Sequence, residues 1–389
     1  MPIRKKIKSF FTKEEQVQDN HSNEDYYGEE EFDGKHPIGD RKDTIIVDCG
    51  SYKTRAGFLG GNCRTSFHTI VGRDTSGNRQ GYLVGDQIES FCDIVISNPV
   101  ENGVVTNITE IEAIWNYVFN NELRVHIEEE EFGIFLVESI FADENERKEK
   151  AQLLFETYHT PAACFVNQPF LNVLNYSLNG INLHLGHDST YATAIINGEC
   201  KSIKKLDFGG KHINEKIIEH GFTKYDDIDD IKQNHCYIRS DGCSNFDKEY
   251  TVPNGDKSVK LDSQQYLLPE TFFNPGNLGI EGVGCHDLVI NCLNDVSTEL
   301  ASVCGDSINI VVSGNSTRFK NFSEEITARL QNIPSSFKVK VHVPYSSDFQ
   351  TYLGANAFYN PSGTWYADQF TTKEMYDEIG TVKSWPVTN

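Results

Sequence analysis

The sequence predicts a mixed α/β fold, because buried-strand patterns and amphipathic-helix patterns alternate along the chain. Residues 44–47 are typical of a short buried strand, and residues 195–198 of a strand that enters a turn. Between them, Glu110 to Asn121 predicts a helix with one apolar face. That face consists of Ile111, Ile114, Trp115 and Val118. The chain has 389 residues, of which 38% are hydrophobic, so it can bury a substantial core.

Composition and charge exclude several classes of protein. A formal charge of −22 repels phosphate backbones, so we expect the acidic body of the chain to bind no nucleic acid. No stretch approaches the roughly 18 apolar residues of a membrane-spanning helix. The basic segment 1–13 also lacks the apolar run of a secretory signal. The ten cysteines include no Cys-x-x-Cys pair, which favours free thiols in a reducing compartment.

Residues 1–43 differ in composition from the rest and predict a disordered extension. The first thirteen residues hold five Lys or Arg and no acid, whereas residues 14–43 are acidic. The apolar residues at the start would share one helix face, which favours an anionic membrane surface or a partner groove. They are Ile3, Ile7, Phe10 and Phe11. The basic cluster also resembles a signal for an import receptor. The alternative is a solvated basic tail, because isolated helices below about 12–15 residues are marginal.

The first predicted strand is followed by residues that suit phosphate binding. Gly50 allows close backbone approach, and Ser51 with the neighbouring amides can donate hydrogen bonds to phosphate oxygens. Asp48, at the end of the strand, can hold a hydrated Mg²⁺ ion. By itself this pattern is weak, since an ordinary hairpin turn can carry the same residues.

A series of motifs along the chain resembles motifs of the actin family, in the same order. They are Ile70 to Arg73, Val84 to Asp86, Asn98 to Asn107, Ile114-Trp115, Asn121 to Val125, Phe155 to Ala162, Asp207 to Gly210, Cys236-Tyr237, Pro269-Glu270, Leu278 to Ile280, Val312 to Gly314 and Lys373 to Glu378. The resemblance covers residues 44–389, which is nearly everything after the extension. It indicates a divergent actin or actin-related protein.

The resemblance implies two duplicated α/β lobes of ribonuclease-H type around a cleft that holds ATP or ADP with Mg²⁺. Each lobe is expected to comprise two subdomains. Subdomain 1 is expected at residues 44–68, 99–174 and 350–389, and subdomain 2 at residues 69–98. Subdomain 3 is expected at residues 175–208 and 278–349, and subdomain 4 at residues 209–277.

The resemblance also implies a catalytic residue and a departure from the family pattern. Gln168 matches the glutamine that positions the water attacking the γ-phosphate. Pro169 can then be the first residue of the next helix, because a residue before proline is disfavoured in helical geometry. His184 stands where the family has an aspartate that organises the Mg²⁺ waters. A neutral imidazole lacks the charge of a carboxylate, so we expect slow hydrolysis.

The rest of the second phosphate loop is mixed. Gly186 and Thr190 are kept, and His187 follows the retained glycine. Asp188 stands where the family has a second glycine. Its carboxylate can compensate in part for His184 if the loop shifts by one residue, or it can repel the phosphates.

Further nucleotide-binding residues follow from the same matches. Arg55 matches a lysine that reaches the phosphates, and Lys232 a lysine close to the ribose. Asn315 replaces a glycine that meets the nucleotide, and Asp348 replaces a lysine near the base. The remaining expected contacts are Tyr52, Gly210, Gly314 and Ser316. Together they predict a site that holds nucleotide less tightly than a conventional actin does.

The surfaces that join actin subunits are altered. Residues 74–83 are several residues too few for the usual insertion loop, Asn102 stands where many actins carry a modified histidine, and the usual ending is missing. We therefore expect a protein that acts with actin or actin-binding proteins more readily than it polymerises. Its expected location is the cytoplasm and cytoskeleton, and the nucleus is an alternative location. The alternatives are a filament-forming actin-like ATPase and, less favoured, a metabolic kinase of the same superfamily.

Overall fold

The computed structural model describes residues 44–77, 80–90, 93–127, 132–222, 224–239, 249–251, 258–331, 333, 338–358, 369–382 and 384–385. These residues belong to one compact unit, residues 38–389. The predicted extension 1–43, residues 78–79 of the predicted short loop and the C-terminal residues 386–389 lie outside the described ranges.

Nineteen strands occur in the described part of the chain. They are β1 (Thr44–Cys49), β2 (Lys53–Phe58), β3 (Thr65–His68), β4 (Val71–Asp74), β5 (Leu83–Val84), β6 (Ile94–Ser97), β7 (Val100–Glu101), β8 (Val104–Val105), β9 (Gly133–Glu138), β10 (Ala162–Asn167), β11 (Gly180–Leu185), β12 (Thr190–Ile196), β13 (Glu199–Leu206), β14 (Glu249–Thr251), β15 (Ser258–Lys260), β16 (Ser307–Ser313), β17 (Lys338–His342), β18 (Thr371–Thr372) and β19 (Ser384–Trp385).

Ten α-helices lie between these strands in the described ranges. They are α1 (Ile108–Asn116), α2 (Glu144–Gln152), α3 (Gln168–Leu174), α4 (Gly210–Ile218), α5 (Tyr225–Asn234), α6 (Gln264–Glu270), α7 (Cys285–Cys304), α8 (Phe322–Gln331), α9 (Gln350–Phe358) and α10 (Lys373–Ile379). Two of them continue as π-helices, α1 through Tyr117–Leu123 and α2 through Leu153–Thr157. Three short 3₁₀ segments are Gly85–Ser90, Pro275–Leu278 and Asn315–Arg318.

The first sheet has the order β3-β2-β1-β9-β10-β18, and β19 also pairs with β10. Strands β1, β2 and β3 are antiparallel, whereas β9 and β10 continue the sheet in parallel with β1. Residues 44–47 of β1 are fully buried, as expected for a strand that is covered on both faces.

The second sheet repeats this arrangement with the order β13-β12-β11-β16-β17. Strands β11, β12 and β13 are antiparallel, and β16 and β17 continue in parallel with β11. The two lobes therefore share one topology, which makes visible the internal duplication that the sequence resemblance implied. The prediction of a two-lobed α/β fold is confirmed, while the four subdomain boundaries stay predictions.

The local predictions for the helix at 110–121 and the turn after Ile196 agree with the structure. Helix α1 begins two residues earlier, at Ile108, because the side chain of Asn107 accepts a hydrogen bond from the Glu110 amide. The apolar face that the sequence predicted is buried against the first sheet. After β12, Asn197 and Gly198 both have positive φ, 53° and 84°, which is typical of a tight hairpin turn.

The lobes meet on a shared apolar cluster around the helix pair α3 and α9. Residues of both sheets, such as Ile46 of β1 and Val311 of β16, join this cluster with Phe170 of α3. The two helices lie so close that a Cβ atom at Gly354 would be 2.0 Å from the carbonyl oxygen of Leu171. Only glycine fits at that crossing without a backbone shift.

The eight described cysteines are free thiols, in line with the expectation from the sequence. None of the helices in the described ranges is both long enough and apolar enough to cross a membrane.

Candidate functional site

Two hairpin turns in equivalent positions of the two sheets face the same cavity. In the first turn, between β1 and β2, the Gly50 amide donates to the Lys53 carbonyl at 3.2 Å. In the second, between β11 and β12, the Gly186 amide donates to the Ser189 carbonyl at 3.0 Å. The shared topology places both turns at the same end of their sheets, and between them lies a cavity of about 140 Å³.

All fifteen residues that the sequence predicted for the site line this cavity. They are Asp48, Gly50, Ser51, Tyr52, Arg55, Gln168, His184, Gly186, His187, Asp188, Gly210, Lys232, Gly314, Asn315 and Ser316. The structure thus brings together residues that are spread over more than two thirds of the chain. Their individual roles stay predictions.

Tyr52 joins the two turns across the cleft. Its ring stacks on the imidazole of His187, with ring centroids 4.4 Å apart and 21° between the planes. Its hydroxyl donates to the Asp229 carboxylate of α5 at 2.8 Å. Lys53 forms an ion pair with the other oxygen of Asp229 at 3.0 Å. These contacts tie the first hairpin to the second lobe, a role for Tyr52 that the sequence did not suggest.

Asp188 is also engaged across the cleft. Its carboxylate accepts a hydrogen bond from the backbone amide of Asn102 at 2.6 Å. The sequence left two possibilities for this residue, compensation for the missing acid or repulsion of the phosphates. In the structure one oxygen of this carboxylate links the second hairpin to the segment after β7, and both possibilities stay predictions.

The first hairpin places an acid opposite a base. Asp48 and Arg55 are direct partners on neighbouring antiparallel strands, so their side chains lie on the same face. Burial raises the pKa of Asp48 above its ordinary value, and the guanidinium of Arg55 lowers it by less. Arg55 lies over the ring of Phe349 at 5.2 Å, and its buried Nε has no hydrogen-bond partner among the described residues.

The second hairpin repeats this geometry with different residues. His184 stands two residues before Gly186, as Asp48 stands two residues before Gly50. Its partner on the neighbouring strand is Tyr191, whose ring lies 5.1 Å from the imidazole. Burial, helped by the charge of Arg55, lowers the pKa of His184 to about 4, so the imidazole is neutral at physiological pH.

Gln168 is held by hydrogen bonds at both ends of its amide. Tyr191 donates its hydroxyl hydrogen to Oε1 at 2.6 Å, and Nε2 donates to the Thr351 hydroxyl at 3.4 Å. The prediction that Pro169 begins the next helix is wrong by one residue. Helix α3 starts at Gln168 itself, because Asn167 has extended geometry and acts as the cap, and Pro169 then occupies the first turn, where it costs no hydrogen bond.

Gly314, Lys232 and Asp348 form another part of the cavity wall, where backbone packing is close. Gly314 has a φ of 100°, and a Cβ atom there would lie 2.2 Å from the Leu185 carbonyl oxygen. Lys232 is 6% exposed and donates to the Asn214 side chain at 2.9 Å. Burial lowers the pKa of Lys232 despite the nearby carboxylate of Asp229. Asp348 lines the same wall and pairs with Arg318 at 3.3 Å.

Several lining residues were not predicted as part of the site. They include Lys53, Ser139, Phe141, Tyr191, Ser347 and Thr351. Tyr191 is the most consequential, because it contacts both His184 and Gln168. The repeated hairpin could have identified it, since Tyr191 follows Gly186 by the same five positions that separate Arg55 from Gly50.

Comparison with known proteins agrees with the fold and the motifs. The sequence profile of the Actin family matches residues 39–225 and 222–383. A protein of Dictyostelium discoideum described as putative actin-29 is 29% identical over 374 residues, which cover 87% of this chain and 95% of that protein. With the duplicated lobes and the cleft between two hairpin turns, these matches lead to one conclusion: the chain belongs to the actin family.

Proposed function

We propose that this protein binds ATP or ADP in the cleft between its lobes and hydrolyses ATP slowly. Actin-family proteins generally bind a nucleotide with a divalent metal. The observation that carries the proposal is the pair of equivalent hairpin turns, Gly50 to Lys53 and Gly186 to Ser189, which face one cavity.

The donors around the cavity fit the phosphates of a nucleotide. Arg55 supplies a buried Nε that has no partner in the described part of the chain, and Lys232 supplies a buried amine. Gly210 leaves room at the start of α4, since a Cβ atom there would lie 3.1 Å from Nζ of Lys232. Positive side chains and close backbone amides are the groups that recognise phosphate oxygens.

The same residues offer Mg²⁺ at most one free carboxylate. In nucleotide sites the ion is usually held by one or two carboxylates together with the phosphates and several waters. Asp48 offers one carboxylate with a raised pKa, and the carboxylate of Asp188 is engaged by Asn102. No cluster of three or more His, Cys, Asp or Glu side chains in the described ranges has a geometry that suits a metal.

Slow hydrolysis follows from how few groups can orient water. Gln168 is the one amide aimed at the cavity from α3, and its two ends are held by Tyr191 and Thr351. His184 is a neutral imidazole where the family has a carboxylate. Loss of a single positioning group commonly costs about 10²-fold in rate, so we expect slow turnover rather than none.

Calorimetric titration with ATP and ADP, followed by single-turnover phosphate release, tests this proposal. We expect His184→Asp to raise the rate of release and Gln168→Ala to lower it. If Asp188 already supplies the missing acid, His184→Asp would leave the rate unchanged and Asp188→Ala would abolish it. The remote variant His220→Asp is the control for the same side-chain change. A wild-type rate equal to that of conventional actin, or no binding of either nucleotide, would contradict the proposal.

The cellular part of the proposal rests on the family. Actin-family proteins generally interact with actin-binding proteins. We propose that this chain acts with actin or actin-binding proteins in the cytoplasm or cytoskeleton, with residues 1–13 as a docking or targeting element. Purification from the native cell with identification of bound proteins tests this, and absence of any actin or actin-binding protein would contradict it.

A further inference from the structure

A buried polar network lies directly behind His184. Ser313 of β16 is 1% exposed, and Asn172 and Asn182 are fully buried. The Ser313 Oγ lies 3.0 Å from the Nδ1 of His184 and 3.0 Å from the amide nitrogens of both asparagines. This network is the only described partner of the His184 ring nitrogens.

The orientation of both asparagine amides follows from their partners. Asn182 Nδ2 lies 3.0 Å from the Val311 carbonyl oxygen, which can only accept, so this atom is the nitrogen. The Oδ1 of Asn182 then accepts from Asn172 Nδ2 at 3.1 Å, which orients the second amide. The Thr351 hydroxyl donates to Asn172 Oδ1 at 2.9 Å, in agreement with that orientation.

The count of hydrogens then decides the tautomer of His184. The Ser313 oxygen receives an N–H from Asn172 and another from Asn182, and these two bonds use both of its lone pairs. Its single hydroxyl hydrogen remains for the Nδ1 of His184. That ring nitrogen is therefore the acceptor, and the imidazole proton resides on Nε2.

The protonated Nε2 is the free end of the ring. It lies beside the second hairpin turn, since a Cβ atom at Gly186 would be 3.4 Å from it. No hydrogen-bond partner for Nε2 exists among the described residues, and His184 lines the cavity. The ring thus presents an N–H donor at the position that is equivalent, in the other lobe, to the carboxylate of Asp48.

We propose that His184 donates its Nε2–H directly to a phosphate oxygen of the bound nucleotide, so that nucleotide binding needs little help from a divalent cation. The inference rests on the proposed function, because it takes the nucleotide as the ligand of the cleft. A donor at this position attracts a phosphate oxygen and repels a hydrated cation. Arg55 and Lys232 supply positive charge to the same cavity and complete the neutralisation of the phosphates.

Binding of fluorescent N-methylanthraniloyl-ADP in Mg²⁺ and in excess chelator tests the metal dependence. We expect the dissociation constant of the wild type to change less than about 3-fold between the two conditions. Replacement of the donor in His184→Phe should weaken binding in chelator by about 10-fold or more, the usual effect of losing a hydrogen bond to a charged group. His184→Asp should make binding strongly dependent on Mg²⁺, whereas the remote His220→Asp should behave as the wild type.

Nitrogen-15 NMR of the histidine rings gives a second readout that does not depend on turnover. We expect Nε2 of His184 to carry the proton in the free protein and its signal to shift when ADP is added in chelator. Ser313→Ala removes the hydroxyl that donates to Nδ1, so the proton of His184 should no longer be confined to Nε2, while the ring stays in place. A proton on Nδ1, or wild-type binding that is lost in chelator and restored by Mg²⁺, would overturn the inference alone. Absence of binding under both conditions would instead overturn the proposed function and this inference with it.

Discussion

At the scale of single residues, burial and nearby charges decide which side chains of the cleft are neutral at physiological pH. Burial and the charge of Lys232 lower the pKa of His187 to about 3, and burial lowers that of His184 to about 4. Asp229 behaves differently: burial raises its pKa, but contacts with His68 and Lys53 outweigh burial and hold the pKa well below its ordinary value. At neutral pH two neutral imidazoles therefore line the cavity, while Asp229, which accepts from Tyr52, stays ionised.

Because the pKa values of these two imidazoles are lowered in the folded protein, we predict that the protein loses stability in mild acid. Between the ordinary histidine pKa of 6.5 and about 4, the unfolded chain protonates both rings while the folded chain keeps them neutral. Unfolding then takes up protons, so the free energy of unfolding falls as pH falls, by up to about 1.4 kcal/mol per pH unit for each ring. Asp229 does not contribute here, since its lowered pKa acts only below the ordinary value of 3.8.

Urea unfolding at a series of pH values between about 7 and about 5 measures this slope. His187→Gln should flatten the pH dependence, because it removes one of the two rings. His220→Gln, which changes an imidazole outside the cavity, should keep the wild-type slope. Equal slopes for all three proteins would show that the rings of the cleft do not govern the acid response.

At the scale of elements, the proposed nucleotide site depends on two hairpins and one helix. The hairpin turns are equivalent by duplication, yet the residues that follow each turn glycine differ, and Tyr52 and His187 now stack on each other. Helix α5 supplies Asp229, which accepts from Tyr52 and pairs with Lys53. The first lobe is thereby connected to the second by the contacts of Tyr52 and Lys53 with Asp229 as well as by α3 and α9.

We predict that Asp229→Asn destabilises the protein and speeds nucleotide exchange. The variant loses the ion pair with Lys53, whose side chain is 25% exposed, so the cost should be about 1–3 kcal/mol rather than the larger value of a fully buried pair. Because the lost contact bridges the lobes, the cleft should open more often and bound nucleotide should leave faster.

Thermal unfolding and stopped-flow displacement of a fluorescent nucleotide measure the two effects. Asp226→Asn makes the same charge change on an exposed position of α5 and should leave both unchanged. A lower melting temperature with an unaltered displacement rate would mean that the ion pair stabilises the fold without gating the cleft.

At the scale of the whole molecule, charge and surface decide how the protein associates. The net charge of −22 opposes the close approach of two copies of the chain, and the predicted insertion loop is short. Strand β4 ends at Asp74 and β5 begins at Leu83, so the connection between them has little length for a contact with a neighbouring subunit.

We predict that the protein stays mostly monomeric under conditions that polymerise conventional actin. Central apolar anchors dominate the energy of protein interfaces, and residues 74–83 have a turn-like composition without an apolar tip. Sedimentation velocity and electron microscopy at micromolar concentration, with conventional actin as the positive control, measure assembly. Long filaments formed by this chain alone would support a filament-forming ATPase instead.

We also predict that residues 1–40 can be removed without loss of stability. Their composition, basic and then acidic with few aliphatic residues, does not favour packing on a core. The truncated protein should melt within a few degrees of the full chain while its location in cells changes. Replacement of Phe10 and Phe11 by Ser in the full chain tests whether the apolar face or the basic charge determines the location. A large drop in melting temperature would show that the segment packs on the body.

Sequence alone determined the family, the two-lobed fold and fifteen of the residues that line the cavity. This was possible because motifs such as Asp48-Cys49-Gly50-Ser51 and Val312-Ser313-Gly314 encode local backbone geometry, which survives when surface residues change. Helix α1 could also be predicted, since its buried face repeats with the helical period. Its first residue could not be predicted, because the start of a helix depends on whether one side chain forms a hydrogen bond with one backbone amide.

Only the tertiary structure decided what several of those residues contact. Tyr52 and His187 are 135 positions apart, and no local pattern indicates that their rings stack. Asp188 was expected either to compensate for the missing acid or to repel the phosphates, and only the structure shows that it also accepts from the amide of Asn102 in the other lobe. The proton position on His184 depends on a serine and two asparagines from three different elements. Such contacts join residues of different elements, and their geometry is set by packing over the whole chain rather than by neighbours in sequence.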